Sequence, residues 1–226
     1  MKNRVLAIDY SVNGTCIFIT DIDGSIEYLY FSEYTSDKNN DKCIPVDKTE
    51  PTLKRVDRVA EAIETVFKEG GADLLVLESA SYSSTNKNDD FKDGYAITRF
   101  LSRRYNIPYI QVPPVSLKLF LTGNSKAEKE DMRQAIINEL NIDYKEVSVK
   151  KWDNLCDSRA LHLLGETYLK CNRLPAKKGC LDTADVKYFE TLPLHRQQVI
   201  AGLYNRQDLV KDIQKKRNKL KKNDTR

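Results

Sequence analysis

Apolar residues in this chain follow two spacings: short near-continuous runs, and longer stretches where they recur every third or fourth position. Val5–Ile8, Thr15–Thr20 and Ile26–Phe31 are short runs rich in β-branched and aromatic residues. Tyr10–Gly14 and the turn-rich DIDGS separate them, so they predict the three strands of an antiparallel meander. Asp73–Glu78 and Tyr109–Val112 read as two further strands, the second closed by Pro113-Pro114. Pro51–Lys68 carries Leu53, Val56, Val59, Ile63 and Val66 at helical spacing, with Pro51 near its start and Gly70-Gly71 at its stop. The same periodicity predicts helices over Asp93–Tyr105, Val115–Leu121, Ala127–Leu140 and Trp152–Cys171. Ser32–Glu50 is polar without a period and reads as a loop or insertion. Ser79–Asp90, rich in serine and asparagine, reads as a mobile loop.

Taken in order, these elements predict an α/β fold. A three-strand antiparallel meander would continue into parallel strands, forming one mixed sheet flanked by helices. Residues 1–174 would make that domain. Residues 175–226 would add a C-terminal extension, helical after Leu194 and basic at its end.

Four carboxylates stand out on this framework. Asp9 ends the run VLAID and Glu78 ends LLVLE, where the strand ends lift them out of the core. Asp153 and Asp157 lie one helical turn apart and share a helix face. Carboxylate oxygens suit hard cations such as Mg²⁺ or Mn²⁺. A strand-end acid can equally be a solvated terminus, so the signal lies in the order strand, strand, helix.

Charge adds a second signal. The net charge of the whole chain is +4, yet Leu209–Arg226 alone holds eight Lys/Arg and two Asp, leaving the remainder at −2. Such a tail favours a phosphate polymer, although a solvated end has the same composition. No apolar run approaches the roughly 18 residues of a membrane span, and the chain enters a strand at once, so no secretory signal is expected. Cytoplasmic residence is the expectation. The five cysteines (Cys16, Cys43, Cys156, Cys171, Cys180) form no disulfide-like framework, and no CxxC or HxxxH pair joins them to His162 and His195 as a zinc site.

The stretch VPPVSLKLFLTGNSKAEKEDM, Val112–Met132, sharpens the reading. Lys118 falls on a short helix, Gly123 permits a tight turn, Lys126 follows it, and Lys129 opens the next helix. Helix N-terminal amides with flanking ammonium groups suit a backbone phosphate. Together with AIDYSVNGT around Asp9, LLVLES around Glu78 and DNLCDSRALHLL around Asp157, this stretch resembles the RuvC-type Holliday junction resolvases of the RNase H-like superfamily. The resemblance covers roughly residues 4–170. The chain departs from the family pattern at Ser125, where a second glycine is usual. It departs again in its acidic helix pair, where Asn154 takes the position three residues before Asp157.

The resemblance implies a two-metal nuclease. Asp9, Glu78, Asp153 and Asp157 would be catalytic and metal-binding, with two Mg²⁺ ions and Mn²⁺ as an alternative. Lys129 would act at the scissile phosphate, while Lys118 and Lys126 would bind the DNA backbone. Tyr82, with Phe91, would stack on bases at the branch point. The expected substrate is a four-way junction, cut to 5′-phosphate and 3′-hydroxyl ends by a homodimer. An actin-like ATPase also starts with an Asp-bearing hairpin, but nine glycines without paired GxG elements leave no nucleotide site, so no nucleotide cofactor is expected. Other readings are an RNase H-fold nuclease for hybrids, flaps or forks, and a non-catalytic branched-DNA-binding protein.

Overall fold

The computed structural model describes residues 4–11, 14–20, 23–32, 41–47, 49–79, 89–140, 149–171 and 184–224. Six strands form one sheet in the order β4-β3-β2-β1-β5-β6. β1 (Val5–Asp9), β2 (Cys16–Thr20) and β3 (Ile26–Ser32) form the expected antiparallel meander. β5 (Leu74–Glu78) and β6 (Tyr109–Val112) extend it in parallel on the other side of β1. The expected mixed α/β architecture is therefore present.

β4 (Cys43–Pro45) differs from expectation. It lies inside the stretch read as a loop and pairs in parallel with β3 at the sheet edge, Phe31 opposite Ile44. Three residues bonded on one side are too few to impose an alternating pattern on the sequence.

β1 and β5 are apolar at almost every position because both faces of the sheet are covered. On one face Leu6, Ile8, Leu75 and Leu77 meet α1 (Thr52–Lys68), through Val59, Ile63 and Phe67, and α2 (Asp89–Arg104), through Tyr95 and Leu101. On the other, Val5, Ala7, Leu74 and Val76 meet α3 (Pro114–Thr122), α4 (Lys129–Leu140) and α5 (Val149–Lys170).

Among the described residues three more helices follow: α6 (Ala184–Thr191), α7 (Leu194–Leu203) and α8 (Gln207–Asp224). Described helical structure is thus present from Ala184, ten residues before the expected Leu194. Phe189, Val199, Ile200, Ala201 and Ile213 of these helices belong to the same apolar cluster as α3 and α5. No helix among the described residues is long and apolar enough to cross a membrane.

Glycine sets the distance between α5 and the sheet. A Cβ on Gly165 would stand 2.6 Å from Val5 Cγ1 and 2.7 Å from Val76 Cγ2, so only glycine fits there without movement. From Gly165 back to Asp157 is about 12 Å of helix, and from Val5 to Asp9 is about 13 Å of strand. The contact at one end of β1 thereby levels Asp157 with the other end, where Asp9 leaves the sheet.

Candidate active site

Asp9 and Glu78 come together by strand register. Ile8 lies opposite Leu77 in the parallel β1–β5 ladder, so the next residues leave the sheet side by side. Each carboxyl stands close enough to the other to affect its titration. Burial, first, and the charges of Glu78 and Asp157, second, push Asp9 well above the usual carboxylate range. Burial and then the Asp157 charge raise Glu78 to about 7. Burial raises Asp157 to about 6, with the Asp153 charge adding to it and Lys129 and Lys118 opposing it. Three carboxylates thus disfavour one another's ionisation at one end of the sheet. Each is partly open to solvent.

Asp153 faces a different environment. Arg133 grips its Oδ1 from Nε at 2.6 Å and Nη2 at 2.5 Å, and Lys129 Nζ reaches its Oδ2 at 3.1 Å. Arg133 also lies over the Trp152 ring, 5.1 Å from its centroid. Asn154 is turned toward the β1–β2 hairpin, where its Nδ2 donates to the Gly14 carbonyl at 2.8 Å. The first turns of α5 therefore serve three purposes: Asp157 joins the carboxylates, Asp153 holds a lysine and an arginine, and Asn154 pins the hairpin.

The lysines bring opposite charge to the same place. Lys129 lowers the proton affinity of Asp9, Glu78 and Asp157, while Lys118 lowers that of Glu78 and Asp157. Both flank a turn in which Gly123 adopts φ +77°, a left-handed helix cap that favours glycine. Within that turn Thr122 Oγ1 donates to the Lys118 carbonyl at 2.8 Å, and the Lys126 amide donates to Asn124 Oδ1 at 3.0 Å. Lys126 itself is exposed. Tyr82 lies outside the described residues, as does the side chain of Phe91.

The carboxylates have supports that the sequence reading missed. The Tyr95 hydroxyl donates to the Glu78 carbonyl. Its ring tilts against Tyr10, 5.8 Å between centroids. Tyr10 in turn fills the space beside Gly94, where a Cβ would fall 1.8 Å from the tyrosine Cζ. Arg133 had one available sequence signal, since it follows Lys129 by four residues on α4 and shares its face.

An all-oxygen donor set with excess negative charge is the chemistry a hard divalent cation needs. The side chains stand further apart than a closed cage, however. Among the described residues no group of three or more His, Cys, Asp or Glu is close enough to hold a metal ion as placed. The mutual repulsion of Asp9, Glu78 and Asp157 nevertheless fits such a cation, because it would add positive charge to that of Lys129 and Lys118.

Comparison with known proteins gives a consistent family. A crossover junction endodeoxyribonuclease RuvC from Prochlorococcus marinus (strain MIT 9303) is 34% identical over 111 residues, covering 49% of this chain and 70% of the relative. Its counterpart from Gloeobacter violaceus is 23% identical over 111 residues, and the chain spans 62% of that relative's length. No family model matches. Among solved structures, Thermus thermophilus RuvC superposes with a TM-score of 0.51 at 16% identity, over 71% of this chain and 91% of that one. The same protein in complex with Holliday junction substrate superposes with a TM-score of 0.53 at 15% identity, with the same coverage.

Proposed function

This chain belongs to the RuvC family of crossover junction endodeoxyribonucleases, and from that premise we propose that it resolves four-way DNA junctions by metal-assisted phosphodiester hydrolysis. One observation carries the reading. Asp9, Glu78 and Asp157 meet at one sheet end, each protonated more readily than an ordinary carboxyl, with Lys129 and Lys118 as opposing charges.

Asp9 would help to hold the divalent ions, which we take to be two Mg²⁺, in keeping with its raised proton affinity beside Glu78 and Asp157. Glu78 and Asp157 would each hold one ion, with Asp153 assisting from beside Lys129. When bound, the ions supply a water of lowered pKa and charge stabilisation for the departing 3′ oxygen. The protein's own part is to place and compensate charge. Lys129, beside Asp153, would stand where negative charge grows on the scissile phosphate. Lys118 and Lys126 hold the DNA backbone, which sets register without reading sequence. Tyr95 keeps the end of β5, and so Glu78, in place. Products would carry 5′-phosphate and 3′-hydroxyl ends.

A four-way junction has near two-fold symmetry, so we propose a two-fold homodimer in which each copy cuts one strand. We assign the protein to the cytoplasm, where its DNA substrate would be met. Tyr82 is proposed to stack at the branch point. Residues 1–174 are proposed as the nuclease domain and residues 175–226 as its extension.

The test uses matched junction, fork, RNA–DNA hybrid and duplex substrates with Mg²⁺. Junction cleavage into paired nicks is expected, and Asp9→Asn should abolish it while binding persists. Equal cutting of hybrid and junction would favour a different substrate for the same fold, and full activity of Asp9→Asn would remove the assigned centre.

A further inference from the structure

We propose that the C-terminal helices position the two lysines of the active site, with Arg196 and Arg217 as the positioning residues. This deepens the resolvase reading and rests on it. The reasoning starts at the end of α3. The last turn of any helix leaves carbonyls without helical partners, and these must be met by other donors. In α3, Thr122 Oγ1 takes the Lys118 carbonyl at 2.8 Å, and the Gly123 amide takes that of Leu119 at 3.0 Å. The Phe120 carbonyl is met from another element: Arg196 of α7 donates from Nε at 3.2 Å. One residue past the helix, the Gly123 carbonyl accepts Arg217 Nη2 of α8 at 3.1 Å.

Both arginines are themselves held. Arg196 continues from α3 to the far end of α4, donating to both carboxylate oxygens of Glu139, and its guanidinium lies 4.9 Å from the Phe120 ring centroid. It thereby links the helix that carries Lys118 to the helix that carries Lys129. Arg217 Nη1 donates to Gln198 Oε1 of α7 at 2.5 Å, which fixes the plane from which Nη2 reaches Gly123. The His195 ring closes over Gly123, its Nδ1 3.5 Å from where a Cβ would sit. Ile213, buried one turn before Arg217, keeps α8 seated. The end of α3 and the turn after it are therefore bonded from outside by guanidinium groups, at Phe120 and at Gly123.

A cation at a helix C-terminus is also favourable electrostatically, so these arginines complete α3 as well as bracing it. The geometric role requires more than charge. A lysine at position 217 would keep the charge but has one nitrogen where the structure uses two, one for Gly123 and one for Gln198.

The experiment compares full-length wild type with Arg217→Ala, Arg217→Lys and Gln198→Ala. Hydrogen exchange of the backbone amides from Gly123 to Lys129 reads the turn without any catalysis. Single-turnover junction cleavage and junction affinity read its consequence. Arg217→Ala should speed exchange in that segment at least tenfold while β1 and β5 amides stay protected. It should lower the single-turnover rate at least tenfold with less than threefold change in junction affinity. Arg217→Lys should fall with Arg217→Ala. Millimolar guanidinium should restore part of the Arg217→Ala rate. Gln198→Ala should show the same effects at smaller amplitude, and it replaces Arg217→Ala should that variant fail to fold. Unchanged exchange from Gly123 to Lys129 would overturn the proposal. So would an Arg217→Lys variant of wild-type rate, since the side chain would then act through charge alone. If wild type cuts no junction yet the exchange result holds, the resolvase reading fails and the brace stands.

Discussion

Replacing Gly165 by alanine tests whether α5 sets the height of Asp157 over the sheet. The added methyl would meet Val5 Cγ1 at 2.6 Å and Val76 Cγ2 at 2.7 Å. Carbon atoms in contact rest about 3.5–4.0 Å apart, so α5 must retreat by roughly 1 Å. Overpacking of this kind costs about 1–3 kcal/mol, and the better helix propensity of alanine offsets about 1 kcal/mol of that. The net loss of stability should be about 2 kcal/mol or less. The effect on cleavage should be larger, because a misplacement of about 1 Å in a catalytic constellation lowers the rate by about 100-fold. Urea unfolding and single-turnover cleavage at saturating enzyme, measured on the same preparation, separate the two effects. Adding Val76→Ala removes one of the two contacts and should recover part of the rate while lowering stability further. A Gly165→Ala protein that stays folded and cuts within threefold of wild type would show that α5 does not set the site.

The carboxylates give a pH signature. Glu78 rises from 4.5 to about 7 and Asp157 from 3.8 to about 6 on folding. The folded chain therefore binds more protons than the unfolded chain between about pH 4 and 7, and their contribution makes stability fall as pH rises through that window. Burial lowers His162 to about 3, an effect of opposite sign over much of the same range, so the difference between wild type and Glu78→Gln in metal-free buffer is the quantity to measure. Glu78→Gln should be the more stable protein at pH 8, by an amount that shrinks toward pH 4.5 and with added Mg²⁺, and it should not cut; a constant difference would refute the coupling. Lys129→Ala should lower the single-turnover rate more than junction affinity, whereas Lys118→Ala should impair both, and wild-type rates for both would remove the lysines from the chemistry. Lys211, Lys215 and Lys219 are exposed at four-residue spacing on α8, away from its packed residue Ile213. Replacing all three with glutamine should flatten the log–log salt dependence of duplex binding by up to about 3 units without changing the single-turnover rate. An unchanged slope would show that this face does not meet DNA.

The sequence revealed the parts of the site that depend on strand ends and helix phase. A strand that stops at a carboxylate is visible in VLAID and LLVLE, and helix spacing alone put Asp153 and Asp157 on one face. Their different environments were not visible, because Asp153 is set by Arg133 on another helix. Asn154 and Gly165 act through single contacts with residues far away in sequence, which leave no periodic trace. β4 was missed because three edge residues carry no alternation, and α6 because its eight residues follow a stretch without pattern. Arg217 sat in a tail read for its charge and Arg196 in an extension read only as helical, whereas their described bonds are to backbone carbonyls, Gln198 and Glu139.

The descent of the three carboxylates from distant parts of the chain has a consequence during synthesis. Asp9 and Glu78 can pair as soon as β1 and β5 have left the ribosome, but Asp157 arrives only with α5, and Arg217 later still. Proteins emerge N-terminus first, at about 5–20 residues per second. A partly made chain therefore holds two acids and no complete centre for several seconds. If the chain cuts DNA as proposed, the order of its own elements keeps it harmless while unfinished, and a prematurely terminated copy ending before α5 should leave DNA intact.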